Sequence, residues 1–244
     1  IKGESLRFNW NTPFFVSSHN PKVFYCAGNK VFRSIKQGED PRVISPELCQ
    51  DGRASATALA ESPVSPDVLW AGTDDGQLWV TRDGGAKWTN VREKVGLPRP
   101  MCVATIEPSR FVAGRAYVAF DGHRSDNDEP WIFVTEDYGA TWKSLRANLP
   151  TGSTRCLRED LFNKDVLYLG TEFAVWASID RGASWTRINN NLPTVAVHEL
   201  AQHPTAGEIV AATHGRSLWI LDVSALRQLS PKNNTEAAKL LTPA

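Results

Sequence analysis

The 244-residue sequence lacks an excess of charge of either sign, and it also lacks long hydrophobic runs. Lysine and arginine total 27, as do aspartate and glutamate, and the sequence pI is about 7.1. A chain without net charge has no long-range field to attract polyanions, so we expect no nucleic acid as a partner. No run approaches the roughly 18 apolar residues of a membrane helix, so we expect no membrane span.

A leader sequence and metal-binding patterns are missing too. The start, IKGESLRFNW, has no basic stretch followed by an apolar core, and it begins with Ile1, so we expect a segment of a longer protein. Four cysteines (Cys26, Cys49, Cys102 and Cys156) show no CxxC spacing, and we expect buried free thiols, no metal and no cofactor. The motifs GxGxxG and GxxxxGK[ST] and a serine nucleophile elbow are absent, which removes support for nucleotide chemistry and acyl transfer.

The sequence does contain an internal repeat. TRDGGAKW (81–88), TEDYGATW (135–142) and SIDRGASW (178–185) align without a gap on the pattern [S/T]-x-D-x-G-x-x-W. The aspartates are 54 and 43 residues apart, which is typical of supersecondary units of about 40 to 50 residues. Three strand-like stretches precede each copy and one follows it from the tryptophan, so each repeat predicts four antiparallel strands, A to D.

This pattern predicts an all-β fold, a β-propeller of about five four-stranded antiparallel blades. The expected blades span residues 1–45, 46–95, 96–150, 151–195 and 196–224, and residues 225–244 are expected to form a polar tail or linker. In the first blade Lys36 replaces the aspartate and Pro41 the tryptophan, whereas the last continues into Asp222 without a glycine turn.

The repeated residues are predicted to be structural, because a turn clamp is needed once in every blade and a catalytic group only once in a site. They are three aspartates, three glycines and three tryptophans: Asp83, Gly85, Trp88, Asp137, Gly139, Trp142, Asp180, Gly182 and Trp185. The carboxylate accepts backbone N–H groups where strand C turns into strand D, the glycine supplies the turn, and the tryptophan anchors strand D.

The three octapeptides resemble the Asp-box, or BNR, repeat. Across residues 7 to 230 the chain is similar to bacterial sortilin-like propeller proteins, including those described as "glycosyl hydrolase, BNR repeat". The resemblance implies an extracytoplasmic or secreted protein of seven blades or tandem propellers, of which this chain is the C-terminal part and other blades are partners. It also implies that the Asp-boxes lie on the rim opposite the functional face.

The B-to-C loops are therefore the expected ligand-binding face, together with segments that lead into strand A. The candidates are charged: Asp74, Asp121, His123, Arg124, Asp126, Asp128, Glu129, Arg158, His214 and Arg216, with Asp160, His198 and Glu199 beside them. The loop 121–129 is either a binding loop or a solvated turn, and Asp121, Asp126 and Asp128 leave a Ca²⁺ site open. His214 and Arg216 either contact a ligand or hold the turn of the last blade.

Two functions remain open. A glycoside hydrolase needs two carboxyl groups about 5 to 10 Å apart, for which Asp75, Asp121, Asp128, Glu159 and Glu172 are candidates. The Arg-Ile-Pro segment of sialidases is absent, and a xyloglucanase-like site would have to be shared with another domain. A non-catalytic module that binds a protein, peptide or glycan is the favoured function, and a purely structural part of a propeller is a third possibility.

Overall fold

The computed structural model describes residues 5–230 and 240–242, and this part of the chain contains nineteen strands in five sheets. The first sheet comprises β1 (Phe14–Val16), β2 (Phe24–Ala27), β3 (Val31–Ser34) and β4 (Arg42–Val43). The second comprises β5 (Ala56–Ser62), β6 (Ser65–Thr73), β7 (Leu78–Thr81) and β8 (Trp88–Asn90). The third comprises β9 (Cys102–Pro108), β10 (Ala116–Asp121), β11 (Trp131–Thr135) and β12 (Lys143–Ser144).

The fourth sheet comprises β13 (Thr154–Glu159), β14 (Leu167–Thr171), β15 (Val175–Ser178) and β16 (Thr186–Arg187). The fifth has three strands among the described residues: β17 (Val197–Gln202), β18 (Glu208–Thr213) and β19 (Leu218–Asp222). The helices α1 (Arg92–Val95) and α2 (Ser224–Arg227) each have four residues. No helix in the described part of the chain is long and apolar enough to cross a membrane.

Strand order follows chain order in every sheet, so each sheet is a meander, and the prediction of an all-β propeller with antiparallel blades is confirmed. One sheet lies within each expected blade range, although the described residues of the fifth sheet form three strands rather than four. The chain divides into two compact units, an N-terminal unit of residues up to 120 with 133–143 and a C-terminal unit of 121–132 with 144 onward.

Within each unit, neighbouring sheets approach closely at a glycine in strand B. A Cβ at Gly72 would lie 2.4 Å from the Val103 side chain in the N-terminal unit. In the C-terminal unit, a Cβ at Gly170 would lie 2.6 Å from both the Cys156 sulfur and the Val197 carbonyl oxygen. Glycine is required at both positions because any larger side chain would separate the sheets.

The three repeated octapeptides form the same turn, which we call the aspartate turn, with the same hydrogen bonds. The hydroxyls of Thr81, Thr135 and Ser178 donate to Asp83, Asp137 and Asp180 at 2.8, 2.8 and 2.7 Å. The same hydroxyls accept the amide N–H of Gly85, Gly139 and Gly182 at 3.0, 2.8 and 2.8 Å. Those glycines have φ values of 98°, 84° and 82°, in the left-handed region that other residues resist.

Each carboxylate also accepts the amide N–H of the residue four positions later, at 2.9, 2.8 and 2.9 Å for Asp83, Asp137 and Asp180. Hydrogen bonds from the side chain and the backbone of Thr141 lower the pKa of Asp137 to about 2. The pKa of Asp83 is lowered, chiefly by the amide of Lys87. Burial acts in the opposite direction at Asp180, but hydrogen bonds from Ser184 and Ser178 outweigh it and its pKa is lowered too.

Two of the three tryptophans join their own sheet to the preceding one. The indole N–H of Trp88 donates to the Ile44 carbonyl at 2.6 Å, and that of Trp185 donates to the Leu145 carbonyl at 2.9 Å. Trp142 differs, because its indole donates to the carbonyl of Gly139 in its own turn, at 3.1 Å, and packs edge-on against Trp70.

The first sheet retains the turn without an aspartate. The Ser34 hydroxyl accepts the amide N–H of Lys36 at 3.1 Å and of Gly38 at 3.0 Å, as the hydroxyls of the aspartate turns do. Lys36 pairs instead with Asp40 at 2.6 Å. The hydroxyl and the glycine therefore define this turn, and the carboxylate reinforces it.

After β19 the chain forms α2 and docks on the fourth sheet. The Arg227 Nε donates to Asp160 at 2.8 Å, and Asn163 donates to the Arg227 carbonyl at 2.8 Å. Asp160 is fully buried and also accepts the Tyr168 hydroxyl, at 2.9 Å. The tail predicted over 225–244 is thus docked at its start, while residues 231–239 and 243–244 lie outside the described part.

Candidate functional site

Strand register assigns the loops of the C-terminal unit to two ends of each sheet. Thr154 at the start of β13 pairs with Thr171, and the Glu172 amide that follows donates to the Ser153 carbonyl at 2.9 Å. At the other end Glu159 pairs with Leu167, and the aspartate turn bonds to the A-to-B loop there through the Arg181 amide. The B-to-C loops and the start of strand A therefore lie opposite the aspartate turns.

β-Bulges occur at this end of β13 and β17. The register of β13 shifts between Thr154 and Cys156, and that of β17 shifts between Val197 and Glu199. The extra residues are Arg155 and His198, one in each strand. A bulge leaves its extra residue out of the ladder and redirects the side chain, a device that is common beside binding sites.

Arg155 joins two of the predicted acids. Its Nε donates to Glu172 at 3.0 Å, and its two terminal nitrogens pair with Asp121 and Glu172. The side chains of Arg155 and Asp121 are each 14% exposed and that of Glu172 is 22% exposed. The guanidinium thus holds the carboxylate at the end of β10 and the carboxylate of the next B-to-C loop in one fixed, largely buried cluster.

Two histidines lie beside this cluster. The rings of His198 and His214 are 5.1 Å apart between centroids, at an interplanar angle of 37°, and both side chains are exposed. Partial desolvation by its neighbours lowers the pKa of His198, and the charges of Arg155 and His214 lower it further against the opposing effect of Glu172 and Asp121. The neutral imidazole is therefore favoured next to the guanidinium.

An exposed aromatic ring completes what we call the Arg155 face: Asp121, Arg155, Glu172, Phe173, His198 and His214. Phe173 is 48% exposed and packs over Gly152, where a Cβ would lie 3.4 Å from its ring. The face therefore combines fixed charges, ring nitrogens and an apolar ring. Such a combination suits recognition of a polar ligand that also carries an apolar group.

The loop 121–129 is an ordered turn. The His123 amide donates to Asp121 at 2.8 Å, and His123–Ser125 form a short 3₁₀ helix that ends at Asp126, which has a φ of 54°. Asp128 accepts the Ser153 hydroxyl at 2.8 Å, which is the main reason why its pKa is lowered, and it also pairs with His123 at 3.4 Å.

These bonds leave the Ca²⁺ option without support. Asp121 faces Arg155, and Asp128 faces Ser153. Among the described residues, no group of three or more His, Cys, Asp or Glu side chains is arranged to hold a metal ion. Glu129 pairs with Arg146, and Arg124 forms no hydrogen bond or ion pair with the described residues.

Four of the sequence-based candidates lie away from the Arg155 face, which corrects their expected position. Glu159 and Asp160 are fully buried at the opposite end of β13, where Asp160 binds Arg227. Arg158 donates to the Leu200 carbonyl at 3.1 Å and pairs with Glu199 across β13 and β17. The sequence prediction chose Arg158 and missed Arg155, because the bulge that redirects Arg155 leaves no signal in the sequence.

In the N-terminal unit, the carboxylates of Asp74 and Asp75 accept hydrogen bonds from backbone amides. Asp75 accepts the amides of Gln50 and Asp51 at 2.7 and 2.9 Å, and Asp74 accepts the amide of Ser55 at 2.9 Å. The nearby Cys49 is a free thiol whose pKa is raised to about 12, chiefly by burial. None of these groups is presented as an acid or nucleophile.

The folded chain is a β-propeller, and its C-terminal unit carries the Arg155 face. No family model matches the sequence, and no curated protein is significantly similar to it. Solved structures with a similar fold include the GH74 xyloglucanase from Xanthomonas campestris, with a TM-score of 0.67 and 15% identity over 87% of this chain. The chain spans 36% of that enzyme's length.

Two further structures share the fold. The extracellular domain of a hybrid two-component system from B. thetaiotaomicron has a TM-score of 0.64 and 16% identity, and the match covers 92% of this chain and 28% of that one. YCF48 bound to D1 peptide has a TM-score of 0.60 and 13% identity, and the match covers 91% of this chain and 76% of YCF48. At these identities the likeness shows the fold alone.

Proposed function

We propose that this chain is a non-catalytic β-propeller binding module in a larger extracytoplasmic protein, and that the Arg155 face binds its ligand, a protein, peptide or glycan. The observation that carries the proposal is the fixed cluster in which Arg155 bridges Asp121 and Glu172. Such a preorganised polar group, beside an exposed phenyl ring and two imidazoles, presents directional contacts at little cost in ordering.

The same bonds argue against glycoside hydrolysis at this face. A hydrolase needs one carboxyl group that donates a proton and another that remains free for water or the sugar. Here Asp121 and Glu172 share one guanidinium, and the pKa of Asp128 is lowered by Ser153. Glu159 is buried at the other end of its strand, and Asp75 accepts two backbone amides.

Among the ligand classes, a peptide has one supporting parallel. YCF48, which shares the fold, was solved bound to D1 peptide. An extended peptide offers side chains of both charges and apolar groups, which would complement the carboxylates, the imidazoles and Phe173 of the Arg155 face. An extracytoplasmic location agrees with the sortilin-like resemblance and with the extracellular domain that shares the fold.

Binding to peptide arrays and to glycan arrays that include xyloglucan tests this proposal. We expect Phe173→Ala and His214→Ala to weaken binding of any wild-type hit about tenfold or more, because both exposed groups belong to the face. Phe162→Ala is the matched control, since Phe162 is 61% exposed in the same unit but lies in the A-to-B loop at the opposite end.

Equal losses in Phe162→Ala and Phe173→Ala would contradict a site at the Arg155 face. Release of reducing ends from xyloglucan by the wild-type chain, abolished in Glu172→Gln, would contradict the non-catalytic assignment. That result would favour the hydrolase instead.

A further inference from the structure

A groove lies beside the aspartate turns of the second and third sheets, within the N-terminal unit. Its volume of about 250 Å³ is below the roughly 300 to 1,000 Å³ of sites that enclose a small-molecule ligand, so it suits a single side chain. The lining combines positive, aromatic and apolar side chains: Val80, Arg82, Lys87, Val91, Lys94 and Tyr138.

The three positive groups of this groove have no counter-ion in the described part of the chain. Arg82, Lys87 and Lys94 are exposed, and none of them forms an ion pair with a described residue. Asp83 and Asp137 also line the groove, but their carboxylates accept hydrogen bonds of their own turns. Three cations against two carboxylates leave one positive charge in excess, so the groove favours a group with a single negative charge.

Arg82 is held in place by an aromatic ring. Its guanidinium carbon lies 4.1 Å from the centroid of the Tyr138 ring, which is a cation–π contact. The ring is itself fixed, since the Tyr138 amide donates to the Gly114 carbonyl at 2.9 Å and a Cβ at Gly114 would lie 3.2 Å from the ring. No described residue accepts a hydrogen bond from the Arg82 side chain, so the ordered guanidinium presents its N–H groups to a ligand.

The cations of this groove depart from the internal repeat. The seventh residue of the octapeptide carries a hydroxyl in the turns of the third and fourth sheets, where Thr141 and Ser184 donate to their aspartates at 2.7 and 2.6 Å. In the second sheet this residue is Lys87, and the turn forms without that bond. The second residue there is Arg82, and neither of the other two turns has a basic residue at this position. The turn therefore does not require either cation.

We propose that the groove binds an acidic side chain of a partner protein, whose carboxylate pairs with Arg82 and Lys87. A carboxylate has one negative charge, and it matches the planar guanidinium through two parallel hydrogen bonds. Val80 and Val91 offer apolar surface to the methylene groups of a glutamate. The lining residues belong to the N-terminal unit, so this site does not depend on the proposed function.

The probe is a hexaglutamate peptide that carries a dye without net charge, and the control is the matching hexaglutamine peptide. We expect saturable binding of hexaglutamate to the wild-type chain in fluorescence anisotropy at low salt, and no binding of hexaglutamine. Salt at about 1 M, where the Debye length is about 3 Å, should weaken binding about tenfold or more, because the cations are exposed.

Lys87→Thr tests the lysine, with Lys22→Thr as the matched control. Lys87→Thr introduces the residue type that the third turn has at this position, so the turn should form as it does around Thr141. We expect about fivefold weaker hexaglutamate binding, since an exposed ion pair is worth up to about 1 kcal/mol. Lys22 is an exposed lysine beside the turn of the first sheet, where its carbonyl accepts the Gln37 amide at 2.8 Å. It lies outside the groove, so Lys22→Thr should change binding by less than about twofold.

Tyr138→Gly tests the fixed position of Arg82 without changing the net charge. Gly84 occupies this place in the turn of the second sheet, with a φ of 67° against 60° for Tyr138, so the backbone accepts glycine. Loss of the ring beneath Arg82 should weaken hexaglutamate binding about threefold, which corresponds to the weaker cation–π contacts at exposed sites. Circular dichroism establishes that the variants fold.

Four results would overturn the proposal. They are absence of saturable hexaglutamate binding to the wild-type chain, equal binding of hexaglutamine, equal losses in Lys87→Thr and Lys22→Thr, and unchanged binding in Tyr138→Gly. Binding of a heparin oligosaccharide that Lys87→Thr weakens, without binding of hexaglutamate, would also overturn it, because the groove would then recognise a sulfated glycan.

Discussion

The two ends of the blades differ in how far they repeat. At one end, the aspartate turns of Asp83, Asp137 and Asp180 have the same donors, acceptors and glycine conformation. At the other end, the charged residues have different partners from blade to blade: Asp75 accepts backbone amides, whereas Asp121 and Glu172 both pair with Arg155. Repeated geometry serves the scaffold, and the loops that differ from blade to blade are where a specific ligand site can arise.

The fourth and fifth sheets differ in the aspartate turn and in the number of strands. The fourth has an aspartate turn and a fourth strand, and its Trp185 reaches the preceding sheet. The fifth has neither the turn nor a fourth strand among the described residues. The first sheet, however, has four strands although Pro41 stands in place of the tryptophan, so the tryptophan is not required for a fourth strand to form.

We expect the largest effect, a loss of stability, from a substitution in the repeated aspartate turns. Trp185 is 3% exposed, so Trp185→Ala should leave a cavity and lower the free energy of unfolding by about 3 to 5 kcal/mol. Urea unfolding monitored by circular dichroism measures the change. Ligand binding at the Arg155 face should persist in the folded fraction, because Trp185 belongs to the opposite end.

Trp88→Ala is the control. Trp88 is only partly buried, so its replacement should lower the free energy of unfolding by less. A cost for Trp185→Ala no greater than that for Trp88→Ala would mean that burial does not set the contribution of these tryptophans.

A smaller effect is expected from the carboxylate of the same turn. Asp180→Ala removes the acceptor for Ser178, Ser184 and the Ser184 amide, and should lower stability by about 1 to 2 kcal/mol. Ser184→Ala deletes one of these bonds and should cost less. Thermal unfolding distinguishes the two variants. Loss of ligand binding by a fully folded Asp180→Ala protein would contradict the structural role of Asp180.

The repeats made the fold and the turns predictable from sequence, because a turn that recurs in three of the blades is formed by the same residue types each time. The Ser34 turn shows the limit of that pattern, since its hydroxyl and glycine suffice without the aspartate. Which charged residues meet was not predictable. A one-residue bulge aims Arg155 at the loops, and Arg158, three residues later, contacts the neighbouring strand instead.

The partners of buried polar side chains were not predictable from the sequence either. Asp160 was expected near the functional face, yet it is fully buried beneath α2 with Arg227 and Tyr168. These partners lie 67 and 8 residues away in sequence. An aspartate that is followed by apolar residues has the same sequence pattern in a loop and in a core, so only the tertiary structure identifies its counter-ion.

The smallest expected effect is the pH dependence of the Arg155 face. Partial desolvation, Arg155 and His214 lower the pKa of His198 below its ordinary value of 6.5, so the folded state binds this proton less readily than the unfolded state. Stability should therefore fall as pH drops from about 6.5 toward the lowered pKa, by less than the cost of Asp180→Ala. NMR titration of the imidazole carbons should show the low pKa, and His214→Gln should raise it by removing one positive charge. An unchanged His198 pKa in His214→Gln would mean that the two rings do not interact, and the two histidines would then have to be treated as separate parts of the face.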